Sequence, residues 1–187
     1  MSDILLKAVA ALWLAVPALS ANSTAVIFGG GTPIDFGKTF FDGKRLLGNG
    51  KTWRGFIGGG ASAAFIGILQ QFLAHFLNTP YLPPFSDNII TAVGITALMA
   101  YGALMGDSAG SFIKRRMGIG RGQKAYFLDQ MTFLIVALFL VAAAYPSFFM
   151  RYFWNAAALI TLFIITPILH RVVNIIGYKI GYKDVPW

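Results

Sequence analysis

Along the chain, apolar residues gather into five long runs separated by polar, glycine-rich segments. The first run extends from about Ile4 to Phe28 with one charge inside it, Lys7, and the second from about Phe56 to Leu77. The third, about Ile89 to Gly106, carries no charge at all. The fourth runs from about Ala125 to Ala144 with Asp129 near its start. The fifth runs from about Phe148 to Ile176, with Arg151, His170 and Arg171 near its ends. Each run is close to the roughly 20 residues that a helix needs to cross the hydrocarbon core of a bilayer. The pattern predicts an all-α polytopic membrane protein with five transmembrane helices.

Composition sharpens that picture. Of 187 residues, 57% are hydrophobic and 12% charged, whereas soluble domains carry about 25% charged residues. With no Cys, a disulfide-stapled secreted domain is excluded, as are a disordered chain and a collagen-like fibre. Charge then sets the orientation. Lys and Arg total 15 against 7 acids, all of them Asp, for a net charge of +8. Thirteen of the 15 cations lie in the first loop (Lys38, Lys44, Arg45, Lys51, Arg54), the third loop (Lys114, Arg115, Arg116, Arg121, Lys124) and the tail (Arg171, Lys179, Lys183). Five spans put these three segments on one side, and the positive-inside rule makes that side cytoplasmic, with the N-terminus outside. Met1 to Ala21 also has the look of a signal peptide, with Lys7, an apolar run and small residues at Ala18, Ser20 and Ala21. Cleavage would strand the first basic loop outside, against the charge bias, so the first helix is expected to stay. The expectation is a single integral-membrane domain over 1–187, with working cytoplasmic loops at about 29–55 and 107–124.

The first of these loops mixes glycines with five cations: Gly29-Gly30-Gly31-Thr32-Pro33, then Asp42-Gly43-Lys44-Arg45, Gly48-Asn49-Gly50-Lys51-Thr52 and Arg54-Gly55. Glycine permits close backbone approach to a ligand, and backbone N–H groups with Lys and Arg make an anion cradle. Gly50-Lys51-Thr52 is not a P-loop: the glycine that motif needs five residues before Gly50 is Arg45, and no α/β unit surrounds it. In the third loop, a helix continuing past Gly106 would align Asp107, Ser111 and Lys114 at i, i+4 and i+7 on one face. Asp129, about a turn inside the fourth span, is a costly carboxylate and therefore a candidate functional group. The plain alternative for it is a structural ion pair with Lys114 or Arg115. Two carboxylates beside five cations suit a Mg²⁺–phosphate site, since Mg²⁺ takes one or two carboxylates and fills its octahedron with phosphate oxygens and water.

The stretch Ser111-Phe112-Ile113-Lys114-Arg115, followed by an Asp at the mouth of the next helix, resembles the motif of the membrane-integral CTP-dependent phosphatidate cytidylyltransferases. The archaeal branch of that family, the CDP-archaeol synthases, is the closer likeness, similar in size and with five helices. Gly106-Asp107, Lys114-Arg115-Arg116, Gly118, Arg121-Gly122 and Leu128-Asp129-Gln130 read like its pattern, and so do the first-loop segments from Asp42 to Gly55. The likeness covers nearly the whole chain. Relative to the larger bacterial and eukaryotic enzymes, a Lys-Asp and a His-Gly-Gly element are replaced by Gly118-Ile119-Gly120-Arg121-Gly122, and an Asp-Arg by Asp129-Gln130.

The resemblance implies transfer of CMP from CTP to 2,3-bis-O-geranylgeranylglycerol 1-phosphate, an isoprenoid ether lipid phosphate, giving CDP-archaeol and pyrophosphate; ester lipid phosphates are the alternative acceptors. It implies Mg²⁺ as cofactor, held by Asp107 and Asp129, with these two and Lys114 as catalytic residues. Lys44, Arg45, Asn49, Gly50, Lys51, Thr52, Arg54, Ser111, Arg115, Arg121 and Lys124 are the expected nucleotide- and phosphate-binding residues. A phosphate monoester is already anionic near neutral pH, so the chemistry needs charge neutralisation and in-line positioning more than a general base. The expected partners are CTP, the lipid phosphate and the bilayer, in a multi-pass cell-membrane protein whose site faces the cytoplasm. A nucleic-acid partner is not expected, because few aromatic residues interleave with the cations. A small transporter would leave the one-sided cations unexplained, and no inverted repeat is visible. A CDP-alcohol phosphotransferase would need an Ala-Arg after Asp42-Gly43 that is absent.

Overall fold

The computed structural model describes residues 2–120 and 123–182. Among these residues seven helices follow in order: α1 (Ser2–Ile27), α2 (Trp53–Leu77), α3 (Ile89–Arg116), α4 (Tyr126–Gln130), α5 (Thr132–Ala144), α6 (Pro146–Tyr152) and α7 (Ala156–Lys179). Among the described residues β structure is limited to two isolated bridges, Pro33 with Thr52 and Thr39 with Arg45. Among the described residues four helices, α1, α2, α3 and α7, are long and apolar enough to cross a membrane.

Capping residues explain most boundaries. Thr52 caps α2 by accepting from Gly55 N–H at 3.2 Å, and Asn88 caps α3 by accepting from Ile90 and Thr91 N–H at 2.9 and 3.2 Å. α3 runs past Gly106 to Arg116, so the face carrying Asp107 and Lys114 forms. The fourth and fifth expected spans need correction. The fourth is interrupted at Met131, which separates α4 from α5. The fifth begins at Ala156 rather than Phe148, because Asn155 caps α7 through Ala158 N–H at 2.9 Å. Residues Pro146–Tyr152 form the separate short helix α6, opened by Pro146 in its first turn. Apolar runs conceal such breaks, since Phe153 and Trp154 are as apolar as the helices they divide.

Small residues let the helices pack closely and antiparallel. A Cβ on Gly59 of α2 would lie 2.5 Å from Ala25 Cα of α1, and one on Gly67 would lie 2.9 Å from Pro17 Cγ. On α3, the ridge Gly102, Gly106 and Gly110 faces Ala137, Phe133 and Thr132 of α5, where added Cβ atoms would come within 2.9, 2.8 and 2.7 Å. The glycine-rich stretch of α2 is therefore helix-packing surface. The core runs along this seam, with Leu14, Ile95, Met99, Leu134, Val141 and Leu162 fully buried. α5 has 13 residues, about 20 Å at about 1.5 Å per residue. With Tyr145 it nonetheless keeps beside α3 from the level of Gly110 to that of Gly94. The antiparallel order brings Ile27, Trp53, Arg116 and Thr132 to one end of the bundle, together with the first and third loops.

Candidate active site

The first loop folds around one carboxylate. Asp35 is 5% exposed. Its oxygens accept from Arg45 Nη2 at 2.7 Å and Nε at 3.3 Å, and from the N–H groups of Leu47, Gly48 and Gly37 at 3.0, 2.9 and 3.1 Å. Burial alone would push this carboxyl up. The Arg45 guanidinium and the three N–H groups outweigh it and hold Asp35 well below the usual carboxylate range. Further bonds close the loop base: Ile34 N–H donates to Lys51 C=O at 2.8 Å and Trp53 N–H to Thr32 C=O at 3.1 Å. Phe36 and Gly37 both adopt left-handed φ values, 49° and 81°, which turns the chain sharply so that Gly37 N–H meets Asp35.

The end of α3 fastens this loop in place. Arg116 donates to Lys44 and Arg45 C=O at 3.1 and 2.6 Å, pairs with Asp42 at 3.1 Å, and lies 5.0 and 4.8 Å from the Phe40 and Phe112 ring centroids. Lys44 Nζ donates back to Arg116 C=O at 3.0 Å. Arg115 donates to Leu47 C=O at 3.4 Å and also to Ile119 C=O.

Beneath this cover lies a cavity of about 810 Å³. The first loop lines it with Asn49, Gly50, Lys51 and Thr52, α3 with Asp107, Ser108 and Lys114, and the following segment with Gln123 and Asp129. Two ion pairs stand in the wall. Lys51 pairs with Asp107, their side chains 24% and 27% exposed. Lys114 pairs with Asp129 at 2.8 Å and also donates to Gln123 C=O at 2.8 Å. The second oxygen of Asp129 accepts from Ala125 N–H at 2.9 Å.

The structure thus brings seven expected site residues to one cavity: Asn49, Gly50, Lys51, Thr52, Asp107, Lys114 and Asp129. Lys44, Arg45, Arg54, Ser111, Arg115 and Lys124 are not among its lining residues. Lys44, Arg45 and Arg115 are engaged in the loop scaffold, Ser111 is half-buried on α3, and Arg54 and Lys124 are exposed. Arg121 lies outside the described residues. The ion pair of Lys114 with Asp129, weighed above as the structural alternative, is formed, and it faces the cavity. Residues not singled out from the sequence also line it: Asn22 from α1 and Asn174 from α7, with Ser108 and Gln123, as well as His170, noted above only as lying near an end of the fifth run. The available signal for Asn22 was the polar cluster Ser20, Asn22, Ser23 and Thr24 near the end of an apolar run.

Among the described residues no three His, Cys, Asp or Glu side chains gather into a metal cluster. The donor set is two carboxylates on one cavity, which fits a hard cation that completes its coordination with phosphate oxygens and water. Two carboxylates, each matched by a lysine, can release their ammonium partners to phosphate oxygens while themselves facing a cation, so the wall suits a polyphosphate accompanied by a divalent ion.

Known proteins share this architecture. The whole chain, residues 1–187, matches the family model described as CarS-like: CDP-archaeol synthase. It is 46% identical over 193 aligned positions to the CDP-archaeol synthase of Archaeoglobus fulgidus, with both chains covered in full. It is 45% identical to that of Thermococcus gammatolerans over 95% of each chain. A solved structure, described as an intramembrane enzyme for archaeal membrane lipids biosynthesis, has a TM-score of 0.63 at 37% identity, covering 83% of this chain and 89% of that one. With its apolar helices, the chain is a multi-pass membrane enzyme, and it belongs to the CDP-archaeol synthase family of cytidylyltransferases.

Proposed function

We propose that the protein transfers CMP from CTP to 2,3-bis-O-geranylgeranylglycerol 1-phosphate, forming CDP-archaeol in its unsaturated form and pyrophosphate. The observation that carries this reading is the single cavity in which a glycine-bearing loop, two lysines and two carboxylates converge. In the reaction an oxygen of the lipid phosphate attacks the α-phosphorus of CTP. The bond from that phosphorus to the β-bridging oxygen breaks, and pyrophosphate leaves with the electron pair.

The chain's own groups would act by binding and orientation. Lys51 and Lys114 hold triphosphate oxygens, and the N–H groups of Asn49 to Thr52 approach the phosphates closely. Asp107 and Asp129 would hold Mg²⁺, whose bound charge neutralises the triphosphate and the leaving pyrophosphate. Arg121 and Lys124 border this region in sequence and are assigned to the pyrophosphate, with Ser111 and Arg54 as flanking polar groups. Lys44, Arg45 and Arg115 contribute by holding the loop.

The reading includes five membrane crossings, with α5 as the fourth in chain order, the N-terminus outside and the site at the cytoplasmic face. Its support is the passage of α5 beside α3 and the gathering of the cationic loops at one end of the bundle. The lipid would enter sideways between helices, its tails remaining in the bilayer.

The test is conversion of α-labelled CTP into lipid-soluble product by the detergent-purified protein, with and without Mg²⁺, offering an ether and an ester lipid phosphate. Product from the ether acceptor only with Mg²⁺ supports the reading. Equal turnover of the ester acceptor would remove the ether assignment, and product in the presence of EDTA would remove Mg²⁺.

A further inference from the structure

The cavity has two unlike walls. One is charged and comes from the first loop, the end of α3 and Asp129. The other comes from the membrane helices α1 and α7, with Asn22, His170 and Asn174 as polar lining among the described residues, and Tyr182 just past α7 also lines the cavity. These three stand back from the loop end: Asn22 lies five residues before the end of α1 at Ile27, and Asn174 and His170 five and nine before the end of α7 at Lys179. Asn174 is 4% exposed and its amide lies 3.2 Å from His170 Nδ1. His170 in turn stacks on Phe133 of α5, with ring centroids 5.7 Å apart. Asn22 Oδ1 is buried without a hydrogen-bond partner. A buried amide oxygen left unpaired is costly, so a polar partner delivered by a ligand would relieve it.

The two substrates differ in which parts could satisfy this wall. The triphosphate and the lipid phosphate are anions that require cations, and those stand opposite. An ether-linked glycerol offers weak acceptors and no donor. The nucleobase alone combines an uncharged polar edge, holding a donor beside an acceptor, with an apolar face. An amide side chain pairs with such an edge through its oxygen and nitrogen together, the geometry by which Asn and Gln read the adjacent donor and acceptor of adenine. Asn22 is a lining residue, so its amide is within reach of a base edge presented in the cavity. Phe56, also in the lining, supplies an aromatic face, and Val26 and Leu104 flank it with apolar surface.

Building on the cytidylyltransferase reading above, we propose that Asn22, supported by the His170–Asn174 pair, forms the base-binding subsite for cytosine, with Phe56 as the stacking surface. Asn22 is then the contact that orients the nucleoside, while Lys51 and Lys114 hold its phosphates.

The test measures KM for CTP, deoxy-CTP and the lipid phosphate in the detergent-purified full-length protein and in Asn22→Leu, which keeps the branched side-chain shape and removes the amide. The expected result is a rise of about tenfold in KM for CTP, the loss of roughly one hydrogen bond. KM for deoxy-CTP should rise by the same factor, and that for lipid phosphate should stay within twofold. Asn174→Leu should act in the same direction. Because that residue is buried, Asn22→Leu decides the matter should Asn174→Leu fail to fold. Binding is read independently as the rise in melting temperature on adding CTP with Mg²⁺ and no lipid, which should shrink in Asn22→Leu. A raised lipid KM with unchanged CTP KM, no change in either, or a loss seen with CTP but not with deoxy-CTP would overturn the assignment to the base. If the unaltered protein makes no CTP-dependent lipid product, the cytidylyltransferase reading itself falls.

Discussion

Two kinds of aspartate–cation pair sit within one small region of this protein, and their surroundings separate them. Asp35 pairs with Arg45 inside the first loop, its carboxylate 1% exposed and surrounded by three backbone N–H groups. Asp107 with Lys51 and Asp129 with Lys114 face the cavity, their carboxylates 27% and 31% exposed. In the first case every lone pair has a fixed partner and the charge is committed to holding backbone. In the second the carboxylates keep solvent access and their partners are long, flexible ammonium groups that can move to a phosphate. Burial and the nature of the partner distinguish the scaffold pair from the pairs proposed for chemistry, although the residue types are nearly the same.

The sharpest way to break that comparison is to neutralise each class. Asp107→Asn and Asp129→Asn should each lower turnover by roughly 100-fold or more, on the scale of losing transition-state charge stabilisation, with melting temperature nearly unchanged. Lys114→Ala should come next, raising the CTP requirement about tenfold for the loss of one charge-assisted phosphate contact. CTP saturation curves check this, and an unchanged curve would take Lys114 out of the triphosphate site.

Asp35→Asn should behave in the opposite way. Loss of its charge should destabilise the fold by about 1–3 kcal/mol, seen as a lower melting temperature, while turnover at saturating CTP stays within a few-fold of the parent. A linked and smaller effect appears with pH. The folded Asp35 carboxyl titrates below its ordinary value of 3.8, so its contribution is fully present above that value and is lost as pH falls below it. Melting temperature measured from pH 5 down to pH 3 should fall more steeply in the parent than in Asp35→Asn. Parallel curves would contradict the scaffold role.

The same contrast shows what could be read from the residues alone. The first three apolar runs, with the helix start at Ile89, were legible because hydropathy acts over whole turns. The continuation of α3 past Gly106 and the shared face of Asp107 and Lys114 followed from helical spacing. The interruption at Met131 was not legible, since no glycine or proline marks it, and the independence of α6 was masked by the apolar Phe153 and Trp154, although Pro146 and Asn155 stand at its ends. Arg45 and Arg115 read as phosphate cations because composition cannot tell a guanidinium aimed at an anion from one aimed at backbone carbonyls. Asp35 resembled any loop Asp. Its role depends on Leu47 and Gly48, more than ten residues away, returning their N–H groups to it, and only the folded loop brings them there.

The most direct measurement places the two classes side by side: turnover of labelled CTP into lipid product at saturating CTP and Mg²⁺, for Asp107→Asn and Asp35→Asn in one assay, with melting temperature recorded for both. The account predicts that Asp107→Asn melts like the parent and makes almost no product, whereas Asp35→Asn melts earlier and still turns over. Full product formation by Asp107→Asn, or a thermally unaltered but inactive Asp35→Asn, would contradict it.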